Sequence, residues 1–331
     1  MRRHTSRKGE AMPEQSSKGE KKHERWLKVS LQSPPELSDA LSNFMTELGA
    51  QGVYQEAPVT QDENEDFPGL SPEETIYAFL PVDVRSENRI ASLTAYLENL
   101  TELFPELPAV RMNREIIENP DWGEAWKKYF KPLRVSRSIV VKPTWERYAS
   151  SGSDIVIDID PGMAFGTGQH PSTRMCLEAI EDLMLHGRHE MAWHVLDVGT
   201  GTGILGITAA KIGAERVLCV DVDRKAVEIA RENVAINQVS ERVAVVNRDI
   251  STIRDSFTLI VANLTAKLLL KLRSHLTSLL EDGGWLILSG ILEQQRGTIE
   301  EHFVTDRLTV QRLVTEKEWI CFTLRKGGGG A

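Results

Sequence analysis

The run Val195-Leu-Asp-Val-Gly-Thr-Gly-Thr-Gly-Ile-Leu-Gly206 sets three glycines at alternate positions directly behind four strand-forming residues. Such a run enters a tight turn where the backbone can approach a ligand with no Cβ in the way. Small residues follow at Gly206, Ala209 and Ala210, so the next helix can lie close to its strand. A second apolar run, Arg216-Val-Leu-Cys-Val-Asp-Val-Asp223, ends in acids, and Asp221 stands 22 residues after Gly199. A carboxylate there can accept hydrogen bonds from both hydroxyls of a ribose. Together these residues describe half of a site for a nucleoside-bearing cofactor.

Two cofactor chemistries fit that half. The spacing of Gly201, Gly203 and Gly206 matches the fingerprint of a dinucleotide dehydrogenase, which rests a pyrophosphate on a helix N-terminus. The fuller run Asp197-Val-Gly-Thr-Gly-Thr-Gly203 suits S-adenosylmethionine, which has no phosphate and needs only close backbone approach. A second glycine-rich stretch, Asp160-Pro-Gly-Met-Ala-Phe-Gly-Thr-Gly-Gln-His-Pro-Ser-Thr173, precedes the cofactor strand and has no role in a classical dehydrogenase. It can close over a bound cofactor, with Phe165 covering and Thr173 hydrogen-bonding. His170 is either a catalytic group or a helix-start residue bonded to backbone, with Pro171 in the favoured first-turn position. The apolar strand Phe257-Thr-Leu-Ile-Val-Ala-Asn263 ends in an asparagine at the carboxyl edge, where parallel sheets place their ligands. Asn263 there can accept an N–H from an amine substrate, or it can simply form the turn that ends the strand.

Elements that would position these residues follow from periodicity. The front third reads as strand, helix, strand, strand, helix, strand: Trp26–Leu31, Pro35–Leu48, Gly52–Glu56, Thr75–Leu80, Ser86–Leu103 and Ala109–Ile117. That βαββαβ order predicts a ferredoxin-like α+β domain over residues 25–118. Within it, Gln61–Glu74 holds six acids and no base, a solvated loop or a steering surface for a lysine-rich substrate. Residues 119–150 form a connector in which Trp122, Trp126 and Phe130 share one helical face, suited to packing on a neighbouring domain. From Asp154 to Asn263 strands alternate with helices, predicting a doubly wound parallel sheet over residues 151–326. The last strands start at Trp285, Leu308 and Trp319, and the final pair is expected as an antiparallel hairpin at the sheet edge.

Composition narrows the class. The chain has 331 residues, 41% hydrophobic and 26% charged, as in ordinary globular proteins. No apolar stretch approaches the roughly 20 residues that span a bilayer, and no signal-peptide core follows the basic start, so a cytoplasmic protein without membrane contact is expected. Cys176, Cys219 and Cys321 lack metal-ligand spacing and read as buried thiols in a reducing compartment; no metal site is expected. The formal charge is −9, yet residues 1–25 carry +4, leaving −13 on the remainder. An acidic body argues against direct nucleic-acid readout and suits a basic partner. Residues 1–24 read as a disordered basic leader and 327–331 as a flexible tail.

Several runs carry a family resemblance: Asp160-Pro-Gly-Met-Ala-Phe-Gly-Thr-Gly-Gln-His-Pro171, the Leu196–Leu205 loop, Val261-Ala-Asn-Leu264, Leu288-Ser-Gly-Ile-Leu292 and Glu318-Trp319. With the Trp122…Trp126-Lys-Lys-Tyr-Phe130 connector, they resemble the PrmA-type methyltransferases that act on the eleventh protein of the large ribosomal subunit. The resemblance covers residues 25–326 and implies a class I S-adenosylmethionine-dependent methyltransferase, Rossmann-like with a seven-stranded sheet, behind the ferredoxin-like domain. It implies cofactor contacts at Thr173, Gly199, Asp221 and Asn263, with Phe165 and Gly201 beside them and Asp249 toward the adenine amine. Asn263 would be the catalytic residue, and lysine or N-terminal amines of the ribosomal protein the acceptors. Departures are Ser172, where threonine is usual, and Thr265-Ala-Lys-Leu268, which sets Lys267 near the substrate side. Related lysine methyltransferases of an electron-transfer flavoprotein share the catalytic half. They and a noncatalytic S-adenosylmethionine-binding ribosome adaptor are the alternative readings.

Overall fold

The computed structural model describes residues 25–50, 52–56, 74–118, 127, 131–160, 166, 168, 170–187 and 192–328. Strand β1 (Arg25–Ser33) buries every second residue, Leu27, Val29, Leu31 and Ser33, as a strand with one covered face must. Helix α1 (Pro35–Glu47) turns Leu37, Leu41 and Met45 onto that face at a spacing of four, and Gly49 ends it at a φ of +89°. Strands β2 (Gly52–Glu56) and β3 (Glu74–Pro81), helix α2 (Ser86–Leu103) and β4 (Arg111–Glu118) follow. The sheet order is β2-β3-β1-β4 with every pair antiparallel, the ferredoxin-like arrangement read from the sequence. Ile90, Leu93 and Leu100 of α2 complete one core with the α1 and strand residues. At about 2–5 kcal/mol each, truncation of Leu41 or Leu93 to alanine is a large loss for so small a core.

A three-stranded sheet comes next, β5 (Leu133–Arg134), β6 (Ile139–Lys142) and β7 (Ile155–Asp158). Helix α3 (Pro171–Glu181) leads through one wide turn at Asp182–His186 to the main sheet. That sheet comprises β8 (His194–Val198), β9 (Arg216–Asp221), β10 (Val243–Asn247), β11 (Phe257–Asn263), β12 (Leu280–Leu292), β13 (Leu308–Glu316) and β14 (Trp319–Lys326). Its order is β10-β9-β8-β11-β12-β14-β13; the first five strands are parallel and β14 runs antiparallel to both neighbours. Helices α4 (Ile204–Ile212) and α5 (Arg224–Ile236) join α3 over one face, and α6 (Ala266–Leu279) and α7 (Arg296–Phe303) cover the other. Strand β11 is buried from Phe257 to Ala262, which is why it reads as a continuous apolar run.

Three expectations need correction. The alternation from Asp154 does not build one sheet, because β7 pairs with β6 and stays outside the main sheet. Between β10 and β11 there is no full helix: a single 3₁₀ turn at Ile250–Thr252, capped by Asp249, makes the crossing. The intervening segment is short and polar, too short for a helix with a buried face. Strand β12 begins five residues before Trp285, running on from α6 with a register shift opposite Phe257–Leu259. The final hairpin is present, turning at Lys317 with φ +51°, but only β13 lies at the edge while β14 is interior. The leader, most of the acidic run, Trp122, Trp126, Phe130 and residues 329–331 lie outside the described residues. Among the described residues no helix is long and apolar enough to cross a membrane.

Candidate active site

Strand β8 is flanked by β9 on one side and β11 on the other, so crossovers leave it in opposite directions. A crevice opens at the carboxyl ends of such strands. The turn after β8 fills one wall, with Gly199, Gly201 and Gly203 all at positive φ, +70°, +55° and +84°. Four of its N–H groups are committed inside the protein. Gly199 and Thr200 both donate to the Val220 carbonyl, at 2.9 and 3.1 Å, and Gly203 donates to Thr200 at 2.8 Å. Gly201 donates to Asp221 Oδ2 at 3.1 Å, and Gly206 donates to Asp197 Oδ2 at 3.1 Å. With these donors spent and the Asp221 carboxylate alongside, the turn favours a cofactor without phosphates.

Asp197 lies under this turn, 1% exposed, with Thr200 Oγ1 donating to its Oδ2 at 2.6 Å. Burial pushes its carboxyl up to about 6, against the lowering effect of those hydrogen bonds. Its Oδ1 has no hydrogen-bond partner among the described residues. Asp221 ends β9 half-buried, and its Oδ1 accepts the Asp223 N–H at 2.9 Å. Each of its oxygens therefore accepts one backbone N–H and keeps a lone pair for a ligand hydroxyl. Asp249 follows β10 on the same rim, exposed, its carboxyl lowered chiefly by the Ser251 N–H that donates to Oδ1 at 2.8 Å.

The opposite wall is built around Asn263. Its Nδ2 donates to Thr173 Oγ1 at 3.3 Å, joining the end of β11 to the first turn of α3. That contact fixes the amide so that Oδ1 is left as an acceptor. The next N–H, of Leu264, donates to the Ser289 carbonyl at 3.0 Å. Gly290 then sits in a register shift between β12 and β14 with φ +77°, and a Cβ on it would lie 2.9 Å from Asn263 Oδ1 and 2.7 Å from the Leu264 carbonyl. Glycine is required there twice over, by conformation and by space. His170 caps α3: its Nδ1 accepts the Ser172 N–H at 3.2 Å, and its ring meets Trp319 edge-on at 4.8 Å. The helix-start reading of His170 is the one these contacts support. Lys267 is exposed on the first turn of α6, and Phe165 lies outside the described residues.

Residues that the sequence reading passed over tie the walls together. Thr202 Oγ1 donates to the Gly166 carbonyl at 2.6 Å, linking the two glycine-rich stretches. Asn233 Nδ2 donates to the Thr202 carbonyl at 2.9 Å, and Asn237 exchanges two hydrogen bonds with the Asp158 backbone. The available signal was Asn233 inside helix α5, a locally unfavourable choice that calls for a compensating contact; Asn237 is only the C-cap of that helix.

The family model for ribosomal protein L11 methyltransferase (PrmA) matches residues 25–327. The chain belongs to the ribosomal protein L11 methyltransferase family. The family member from Geobacter sp. strain M21 is 39% identical over 306 residues, spanning 91% of this chain and 98% of its own length. That from Heliobacterium modesticaldum is 36% identical over 320 residues, spanning 93% and 99%. The crystal structure of ribosomal protein L11 methylase from Lactobacillus delbrueckii subsp. bulgaricus superposes with a TM-score of 0.54 and 32% identity, over 60% of this chain and all of that one. As a family member the chain is an S-adenosylmethionine-dependent methyltransferase with the class I fold. Its residues fit that cofactor: the Gly201 N–H is already given to Asp221, and that carboxylate at the end of β9 keeps lone pairs for ligand hydroxyls.

Proposed function

We propose that this chain transfers methyl groups from S-adenosylmethionine to lysine side chains or the N-terminal amine of ribosomal protein L11, the substrate its relatives' names carry. The observation that carries the chemistry is Asn263 at the carboxyl end of β11, its Nδ2 held on Thr173 Oγ1 so that Oδ1 remains an acceptor. Bound in the crevice, the cofactor supplies a methyl group already activated on a sulfonium. Asp221 would hold the ribose hydroxyls, the backbone at Gly199 and Gly201 would line the methionine side, and Asp249 would face the adenine amine. Thr173 and Asn263 would frame the methyl end, with Phe165 covering it.

The protein's work is then alignment. Asn263 Oδ1 accepts one N–H of a neutral amine and so directs its lone pair into the crevice. An amide is no base, so the proton goes to water. Because a lysine amine of pKa about 10.4 is mostly protonated at neutral pH, the reaction is expected to quicken as pH rises. Residues 25–118 would recognise the substrate, 119–150 would connect, and 151–326 would catalyse. A cytoplasmic setting belongs to the same proposal, and three buried free thiols suit a reducing compartment.

The test is mass spectrometry of recombinant L11 after incubation with the protein and S-adenosylmethionine. Mass gains in whole methyl steps on lysines or the N-terminal amine are expected, and Asn263→Ala is expected to abolish most of them. Cofactor binding without any gain would redirect the search to another protein, such as a flavoprotein, or to an adaptor role.

A further inference from the structure

The turn that faces the cofactor is closed by its own carboxylates and carbonyls, through Asp197, Asp221, Val220 and the Thr200 carbonyl. Thr202, at its centre, contributes its side chain to none of these bonds. It is 1% exposed, and its hydroxyl donates 2.6 Å away to the Gly166 carbonyl, in the upstream glycine-rich stretch. Its carbonyl is held in turn by Asn233, which is 3% exposed and sits one helical turn before Asn237. Asn237 grips the Asp158 backbone on the approach to the same stretch, donating to its carbonyl at 2.7 Å and accepting its N–H at 2.9 Å. Among the described residues, helix α5 thus reaches the middle of the stretch through Thr202, while Asn237 at its C-cap fixes the root directly. Gly166 is shaped for the contact: φ is +104°, and a Cβ would come within 3.0 Å of Thr202 Oγ1.

We propose that Thr202 is a positioning residue that clamps the backbone at Gly166 onto the cofactor turn and thereby sets how long S-adenosylmethionine stays bound. The proposal rests on the methyltransferase reading. A buried hydroxyl with a carbonyl partner leaves that carbonyl unsatisfied when it is removed, and valine removes it without changing the shape of the side chain. The clamp acts through the stretch it holds, so its loss is felt in cofactor retention rather than in the transfer step.

The experiment uses the full chain, with calorimetry for the S-adenosylmethionine dissociation constant, stopped-flow for its release rate, and steady-state kinetics. Thr202→Val is expected to release the cofactor about tenfold faster and to raise its KM in proportion, with kcat at saturating cofactor changed far less. Thr202→Ser, which keeps the hydroxyl, is expected to restore retention. Gly166→Ala breaks the same contact from the other side and carries the test if Thr202→Val does not fold. The double variant is expected to lose no more than the worse single one. A folded Thr202→Val with the wild-type release rate overturns the clamp. So does a Thr202→Ser that releases as fast as valine, or a weakened affinity that merely follows a fall in Tm. If the wild-type chain itself fails to bind S-adenosylmethionine, the cofactor reading falls instead.

Discussion

Asp221 and Asp197 are both carboxylates beside one glycine turn, yet the structure gives them opposite work. Asp221 faces the crevice with lone pairs to spare, so Asp221→Ala is expected to weaken S-adenosylmethionine binding by about tenfold or more at unchanged Tm, read by calorimetry. Asp197 is buried with its carboxyl pushed up to about 6, above the value near 3.8 of an unhindered aspartate. A folded-state value raised in this way favours the fold below the unfolded value and withdraws that support as pH climbs through the folded one. Stability is therefore expected to drop between about pH 4 and pH 6, by on the order of 2–3 kcal/mol from this group. Asn can accept from Thr200 and Gly206 equally well, so Asp197→Asn is expected to flatten that slope in urea unfolding at pH 4.5 and 7. At this scale Asp221, Thr173 and Asn263 could be singled out as candidates from sequence because each ends a strand or opens a helix, where type and position are visible. Thr202, Asn233 and Asn237 were hidden because they meet only through the tertiary fold.

Elements were legible where one face is buried and the period is clean. Helices α1 and α2 and strands β1 to β4 lie within a residue or two of the expected bounds; α1, α2, β1 and β3 supply the buried residues of a single core, and β2 and β4 add Val53 and Met112 at its margin. The expectation failed where pairing rather than pattern decides: β7 has the composition of a main-sheet strand but finds β6 first. It failed again at Ile250–Thr252, where an Asp cap satisfies a short turn without a helix. The β12 irregularity at Ser289-Gly290 is visible in sequence only as a glycine in a strand, which marks a bulge or a close approach. It is both, and that gives a prediction. Gly290→Ala is expected to cost about 1–3 kcal/mol in strained backbone and to displace Asn263. A loss of methyl transfer exceeding tenfold with cofactor affinity retained would be its signature, measured by L11 methylation beside calorimetry.

Among the described residues the clusters of buried side chains fall into two stretches of sequence, one cluster within residues 27–100 and two from residue 135 onward. Removing residues 1–118 is accordingly expected to spare cofactor binding and abolish L11 methylation; a truncated chain that still methylates the intact substrate would refute the division of labour. One described ion pair joins the two parts, Lys317 in the β13–β14 turn with Glu74 at the start of β3. It is partly exposed and contributes about 0–1 kcal/mol, enough to bias their arrangement and too little to lock it. The placement of β14 has a different consequence, one of timing. The strand made last is held between β12 and β13, and Ser289, beside Asn263, donates its hydroxyl to the Ile320 carbonyl. While translation proceeds, the front sheet can finish folding as soon as residue 118 is free, but β12 keeps an open flank until residues 319–326 emerge. A nascent chain stalled before Trp319 would therefore carry a finished front domain on an unfinished catalyst, with an apolar strand edge bare to any chaperone or neighbouring chain.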